Sequence, residues 1–445
     1  MSRLFFSVSA AIVLLGAVTV AQAGLVSTGF DPAQWPGLMP VSPEMKALTE
    51  ELHAAIVAFD RPHIAEVKSK IIQQMGKYAG TPEEKPQYGQ PIDSSTPDLT
   101  KVEDLWRKSF DRMKEHNAWN RAAPHNAEFQ TGDRLRVSLR AARAYLESYE
   151  AGLEKRDEFL KFAKDGFDYL VSAQASTGVF GYPYDPKGPG LKVQAAAMAE
   201  KGKALGIKMV ENGWLIEDLG DGGLNFDNGM CGIGLLYAYK AAGNERYLDA
   251  AKRAGDWAIS RKLALNWNYN SFSGYLLARL YRVTGEQRYL DEATRIFTCG
   301  VLPGQLENGR WFDQHNAKTQ YHSVMMHSLV EFHLALKKAG DPLAESAKER
   351  TVLGLGNLAE EINTYGASNV HELLSLDALC LGLLAFGDHP EWEKAANINV
   401  NYLCDHFLPE LEKRHMPMTE TVATYILYRR VKAGKAKASE LVMGQ

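Results

Sequence analysis

This chain has no excess of basic residues: 50 Lys and Arg stand against 54 Asp and Glu among 445 residues, for a formal net charge of −4 and a pI near 6.3. Proteins that hold nucleic acid neutralise its phosphates with a basic face, so no nucleic-acid partner is expected. Cysteine is scarce. Cys231, Cys299, Cys380 and Cys404 are far apart and match no zinc spacing, and a chain this long buries a core without disulfides. Buried free thiols and a single bridge both stay open. His322, His327 and His333 lie five and six residues apart, which does not line one helix face as a metal pair would, and His371 beside Glu372 reads as a helix-opening or surface pair. No metal is expected. Serine elbows, Walker loops and haem-attachment motifs are absent. The glycines at Gly229, Gly232 and Gly234 follow no strand and lack dinucleotide spacing, so close packing of helices accounts for them, and no cofactor is expected.

Long apolar runs are missing too, with one exception. After Met1-Ser2-Arg3, an apolar stretch from Leu4 to Val20 leads to Ala21-Gln22-Ala23 and then Gly24. A short basic segment, an apolar core and a small-x-small exit predict a secretory signal peptide cut after Ala23, hence a periplasmic or secreted protein. No later run is long enough to span a bilayer, so no stable membrane span is expected after cleavage. Removing 23 residues from 445 leaves 422, room for one large domain or two ordinary ones.

Strand-type alternation is likewise rare. Segments 24–42 and 80–100 are rich in Pro with Gly, Ser or Thr, and read as extended connections. Between them, Pro43 to Tyr78 predicts two amphipathic helices hinged at Asp60-Arg61-Pro62, so 24–100 forms an N-terminal extension. From 101 to 433 apolar residues recur at three and four, as in Leu139, Ala142, Tyr145, Leu146 and Tyr149. A short tail, 434–445, follows. Helices dominate, and they repeat. Gly234 to Ala251 matches Leu276 to Ala293, with Gly243 and Gly285 standing 42 residues apart. Each copy is an apolar helix stopped by Gly, a turn, and a second helix carrying a Tyr-Leu pair. Looser copies surround Gly340-Asp341-Pro342 and Gly387-Asp388-His389-Pro390, and an earlier one runs from Tyr145 to Ala163. Five hairpins are visible, and a sixth is expected from Val102 to His116.

Repeated helical hairpins build either an open solenoid or a closed toroid of inner and outer helices. Here the turns inside hairpins are short, whereas the links between them are long: Thr177 to Pro189, Glu211 to Asn228, Leu263 to Asn270 and Pro303 to Tyr321. Long loops gathered at one end of a barrel are where sites are built, which favours the toroid, an all-α (α/α)6-type fold. The links share Gly, aromatics and Asp. Tyr182, Trp214, Trp267 and Trp311 are candidate sugar platforms, with Asp218, Asp221, Asn228 and His315 as candidate hydroxyl partners. The competing reading is that each Trp only pins a loop to the rim.

The stretch Phe226-Asp227-Asn228-Gly229-Met230 enters an apolar helix followed by Tyr-x-x-x-Gly-x-x-x-Tyr-Leu-Asp-x-Ala. This resembles the six-hairpin (α/α) toroid glycosidases, notably the unsaturated glucuronyl and rhamnogalacturonyl hydrolases, and in architecture the toroid polysaccharide lyases and epimerases. The resemblance covers about Val102 to Arg430 and places Asp227 as the acidic residue at the mouth of an inner helix. This sequence lacks the Arg-Gly-Asn-Gly-Trp segment expected of the unsaturated uronyl hydrolases.

Glycoside cleavage commonly needs two carboxyls, one to protonate the leaving oxygen and one to attack or to activate water. Asp227 with Asp313 is the expected pair, against the alternative that Asp227 or Asn228 caps a helix. A lyase would instead use Tyr321 with His322 or His315. The expectation is an exported carbohydrate-active enzyme with a carbohydrate substrate: a glycoside hydrolase acting on oligosaccharide or acidic polysaccharide first, a lyase second. A non-catalytic glycan- or protein-binding repeat protein is the third reading.

Overall fold

The computed structural model describes residues 92–115, 135–184, 191–220, 222–264, 266–305, 308–311, 316, 318–367, 372–407 and 419–436, with a few positions between 47 and 70. The segment expected to be a signal peptide and most of the expected N-terminal extension lie outside the described residues. Within them are thirteen α-helices and a three-stranded scrap of sheet. In chain order these are α1 (Leu99–Glu115), α2 (Leu135–Glu150), α3 (Arg156–Ala173), β1 (Tyr182–Pro183), α4 (Leu191–Ala204), β2 (Val210–Glu211), β3 (Trp214–Leu215), α5 (Gly223–Ala242), α6 (Glu245–Ile259) and α7 (Trp267–Thr284). Then come α8 (Gln287–Gly300), α9 (Thr319–Ala339), α10 (Leu343–Tyr365), α11 (Glu372–Phe386), α12 (Pro390–Tyr402) and α13 (Thr419–Lys432).

Packing closes six of these into a ring. Helix α2 packs on α5, α5 on α7, α7 on α9, α9 on α11, α11 on α13, and α13 back on α2. That last contact, between segments at opposite ends of the domain, decides toroid over solenoid. Helices α3, α6, α8, α10 and α12 back the ring, and α1 lies against α13, so the sixth pair is made of the first helix and the last. Because each inner helix returns through an outer one, all six inner helices point the same way. Their N-termini meet at one end, where the long links enter.

The repeat has a physical basis. Gly243, Gly285 and Gly340 adopt left-handed φ of 64°, 75° and 67°, and the Gly243 and Gly285 N–H groups donate to Tyr239 and Tyr281 carbonyls at 2.8 and 2.7 Å. Only glycine takes that conformation without strain, so each inner helix stops where the sequence says. The repeated tyrosines staple outer helices together: Tyr247 donates to Asp168 at 2.8 Å, and Tyr289 to Asp256 at 3.3 Å. Both rings are buried.

Inner helices are crowded. A Cβ on Gly229 would meet the Phe272 carbonyl oxygen at 2.7 Å, and one on Gly234 would meet Leu139 at 1.6 Å, so α5 approaches α7 and α2 through bare backbone. The links are more structured than the sequence suggests. β1 and β2 both pair antiparallel with β3, matching Tyr182 to Leu215 and Glu211 to Trp214, and α4 sits between β1 and β2. Strands of two residues leave no alternation for sequence analysis to read. The four cysteines are free and buried, and burial raises the pKa of the Cys299, Cys380 and Cys404 thiols, that of Cys404 to about 12. No helix among the described residues is long and apolar enough to cross a membrane.

Candidate functional site: the axial cleft

Several rim residues expected to touch a ligand are structural instead. Asp218 is 3% exposed; its oxygens accept from the backbone N–H groups of Gly220 and Leu224, each at 3.0 Å, and Arg261 adds an ion pair at 2.8 Å. It therefore supplies the acceptor for the N-terminus of α5, whose own N-cap is Gly222, and neither Asp227 nor Asn228 is the cap. Asn228 is fully buried. Its oxygen accepts from the Phe180 N–H at 3.1 Å and its amide donates to the Ala254 carbonyl at 2.9 Å, tying a link to α6.

The indoles are sealed as well. Trp214, Trp267 and Trp311 are 3%, 1% and 0% exposed, and Trp311 Nε1 donates to the Val301 carbonyl at 2.9 Å. A sugar stacks only on an open ring face, so in this structure these rings anchor the links rather than receive a ligand. His322 is fully buried, its Nε2 bonded to the Gly354 carbonyl at 2.7 Å, its ring edge-on to Trp311. Burial, reinforced by the Arg310 charge, holds its pKa well below the ordinary histidine value, so it is a neutral strut and is not placed to serve as a base. Tyr182 and Tyr321 are half-buried, in β1 and in the first turn of α9. Asp221, Asp313 and His315 lie outside the described residues. Asp227 is buried at the start of the second turn of α5.

What the ring does bring together is a set of charges on its axis. Tyr237 of α5 borders a small cavity with Glu147 of α2 and Thr424 and Leu427 of α13, which fixes it as an axis residue reaching across the ring. One, two and three turns earlier on that face stand Ile233, which is buried, and Met230 and Phe226, which are half-buried. Phe226 meets Phe272 of α7 edge-to-face at 4.2 Å. Together they give the upper cleft an aromatic wall.

Below this wall the floor is polar. Arg143 of α2 contacts Glu147 and lies 3.5 Å from Asp377 of α11; His327 of α9 lies 3.5 Å from the same carboxylate oxygen. Deeper, Arg282 and Arg279 of α7 approach Glu331 of α9 at 2.7 and 3.8 Å, and the Arg279 guanidinium covers the Tyr237 ring at 3.9 Å. Five inner helices contribute. Burial lowers the His327 pKa, with Asp377 opposing the shift and Arg143 adding to it, so the imidazole is neutral. Burial raises the pKa values of Tyr237 and Tyr275, so both keep their phenolic protons. A neutral imidazole, a carboxylate and guanidiniums gathered on the ring axis suit a polyhydroxylated ligand, which both donates and accepts hydrogen bonds.

Sequence analysis passed over this group. Asp377 in Ser375-Leu-Asp-Ala-Leu-Cys and Glu331 in Leu329-Val-Glu-Phe were legible only as charges inside otherwise apolar helices. That is a signal, but not one that says which helices face each other.

The fold and the cleft define an (α/α)6 toroid with a polar axial site. Similar solved structures include a GH76 α-mannanase from Bacteroides thetaiotaomicron, at 14% identity and TM-score 0.50, covering 75% of this chain and 96% of that one. An unsaturated glucuronyl hydrolase from Streptococcus agalactiae is similar at 10% identity and TM-score 0.47, covering 78% and 97%, and a sugar epimerase from a ruminal bacterium at 10% and 0.48, covering 75% and 99%. In sequence, residues 226–340 match the catalytic domain of the GH127 β-L-arabinofuranosidases, a segment that runs from α5 to the end of α9. No curated protein matches the chain.

Proposed function

We propose that this protein is a carbohydrate-active enzyme that hydrolyses a glycosidic bond in the axial cleft. The observation that carries the reading is the match of residues 226–340 to a glycoside hydrolase catalytic domain, falling on the inner helices α5, α7 and α9 that supply most of the cleft. Asp227 and Asp313 are proposed as the carboxyl pair, with Tyr321 at the mouth. Asp227 heads the matched segment and lies near the site-bearing end of α5, where the helix dipole favours a carboxylate. The substrate enters past Phe226, and the paired charges below close the cleft.

The test is release of reducing ends from a panel of defined oligo- and polysaccharides, together with aryl glycosides that include a β-L-arabinofuranoside. Hydrolysis of at least one member, with no unsaturated product absorbing in the ultraviolet, is the expected result. An ultraviolet-absorbing product would make the enzyme a lyase, and no turnover anywhere would leave only a binding protein. Export is part of the proposal: the intact mass of the secreted product should correspond to a chain beginning at Gly24.

A further inference from the structure

We infer that His327 is a sugar-contacting residue at the floor of the cleft, oriented by Asp377, and that the unit it receives is a neutral, hydroxyl-bearing sugar rather than a uronate. The inference rests on the proposed reading and adds the class of substrate. His327 Nε2 lies 3.2 Å from the Leu374 carbonyl oxygen and 3.5 Å from Asp377 Oδ2. Both neighbours are acceptors, so Nε2 carries the proton and Nδ1 is left with a lone pair. Nδ1 is neither bonded to the described protein nor sealed inside it, and the residue keeps 8% of its surface open. Asp377, 2% exposed, also engages Arg143 through Oδ2, while its Oδ1 is buried without a hydrogen bond. Asp377 is thus a positioning residue. It fixes the tautomer and the ring plane of His327 and holds the Arg143 guanidinium beside it.

The preference for a neutral sugar follows from the charges. At the floor, Arg143 is shared by Glu147 and Asp377, and Arg279 and Arg282 are engaged by Glu331. Beside His327 the described guanidinium is that of Arg143, and two carboxylates already oppose it, while Arg282, whose terminal nitrogens lie against Glu331, is buried deeper in the ring. A uronate would instead set its negative charge against the Nδ1 lone pair and the Asp377 carboxylate, in a cleft where water screens poorly. A hydroxyl does the opposite, donating into Nδ1, while the C–H face of the ring packs on Phe226 and Phe272.

The experiment measures binding by titration calorimetry and saturation-transfer NMR, using pairs that differ only at the carboxylate: glucose against glucuronic acid and galactose against galacturonic acid, with mannose and L-arabinose added. The parent protein should bind at least one neutral sugar and bind its uronate counterpart about tenfold more weakly or worse, one charge-scale interaction's worth. His327→Gln keeps a donor for the Leu374 carbonyl but carries its acceptor oxygen away from the Nδ1 position, and should weaken the neutral sugar about tenfold at an unchanged melting temperature. Imidazole 15N shifts should show a single Nε2–H tautomer for His327 in the parent and a mixture in Asp377→Asn. Equal or tighter uronate binding, a folded His327→Gln with parental affinity, or mixed tautomers in the parent would each overturn the inference. If the parent cleaves a panel glycoside but His327→Gln is indifferent to sugar, the inference fails alone. His327-dependent binding without any cleavage would remove the hydrolase reading and leave the inference standing; no binding by a parent that cleaves overturns the inference alone, and neither binding nor cleavage removes both.

Discussion

Asp227 is the residue whose role the structure narrows most. Helix capping was its alternative, and Gly222 with Asp218 occupies that role, so an Asn at position 227 removes no cap. The chemical role predicts much more. Asp227→Asn should cut kcat by about a hundredfold or more at nearly parental melting temperature, read from initial rates on the best panel substrate and from thermal unfolding. Near-parental turnover would strike Asp227 from the mechanism. At this scale sequence analysis found the residues that repeat, such as Tyr247 and Tyr289, because equivalent positions do equivalent work. It missed Asp377 and Arg143, because each axis charge is used once and its partner sits on another helix.

Among the helices, glycine separates two different constraints. Gly229 on α5 faces the backbone of Phe272, which cannot move aside, whereas a Cβ at Gly356 on α10 would meet nothing within 4 Å. Gly229→Ala should destabilise the fold by about 1–3 kcal/mol through overpacking. Gly356→Ala should stabilise it by about 0.5–1 kcal/mol, since the helix loses an entropically costly residue and gains no clash. Opposite shifts in denaturant midpoint are the expected result, and two shifts of the same sign would contradict the packing described for α5 and α7. The helices and their glycine stops were legible in the sequence from local rules. The β1–β3–β2 scrap was not, because it is held by long links folding onto one another rather than by strand-length patterning.

For the whole molecule, three buried histidines set a pH limit. His322, His327 and His333 all have pKa values lowered first by burial, so each stays neutral in the folded ring while its unfolded counterpart takes up a proton near pH 6.5. The unfolded state then binds more protons, and stability, complete above about pH 6.5, falls as pH drops below it by about 1.4 kcal/mol per unit for each such histidine. Melting temperature should therefore decline from pH 6.5 toward pH 5, and His322→Gln should flatten that decline. A parent whose melting temperature is level across this window would show that these rings are not held neutral.

The sequence by itself determined a helical chain, the period of its hairpins, the glycines that end them and the crowding that Gly229 and Gly234 allow. These follow from interactions within a turn or two, or between neighbouring copies of one pattern. Tertiary structure alone decided that α13 returns to α2 and closes the ring. Closure turned Trp214, Trp267 and Trp311 inward as anchors and brought Arg143, His327 and Asp377, from three different helices, to one point on the axis. Ring closure and axial facing depend on the summed rotation of six helix pairs, and no single segment of sequence carries that sum.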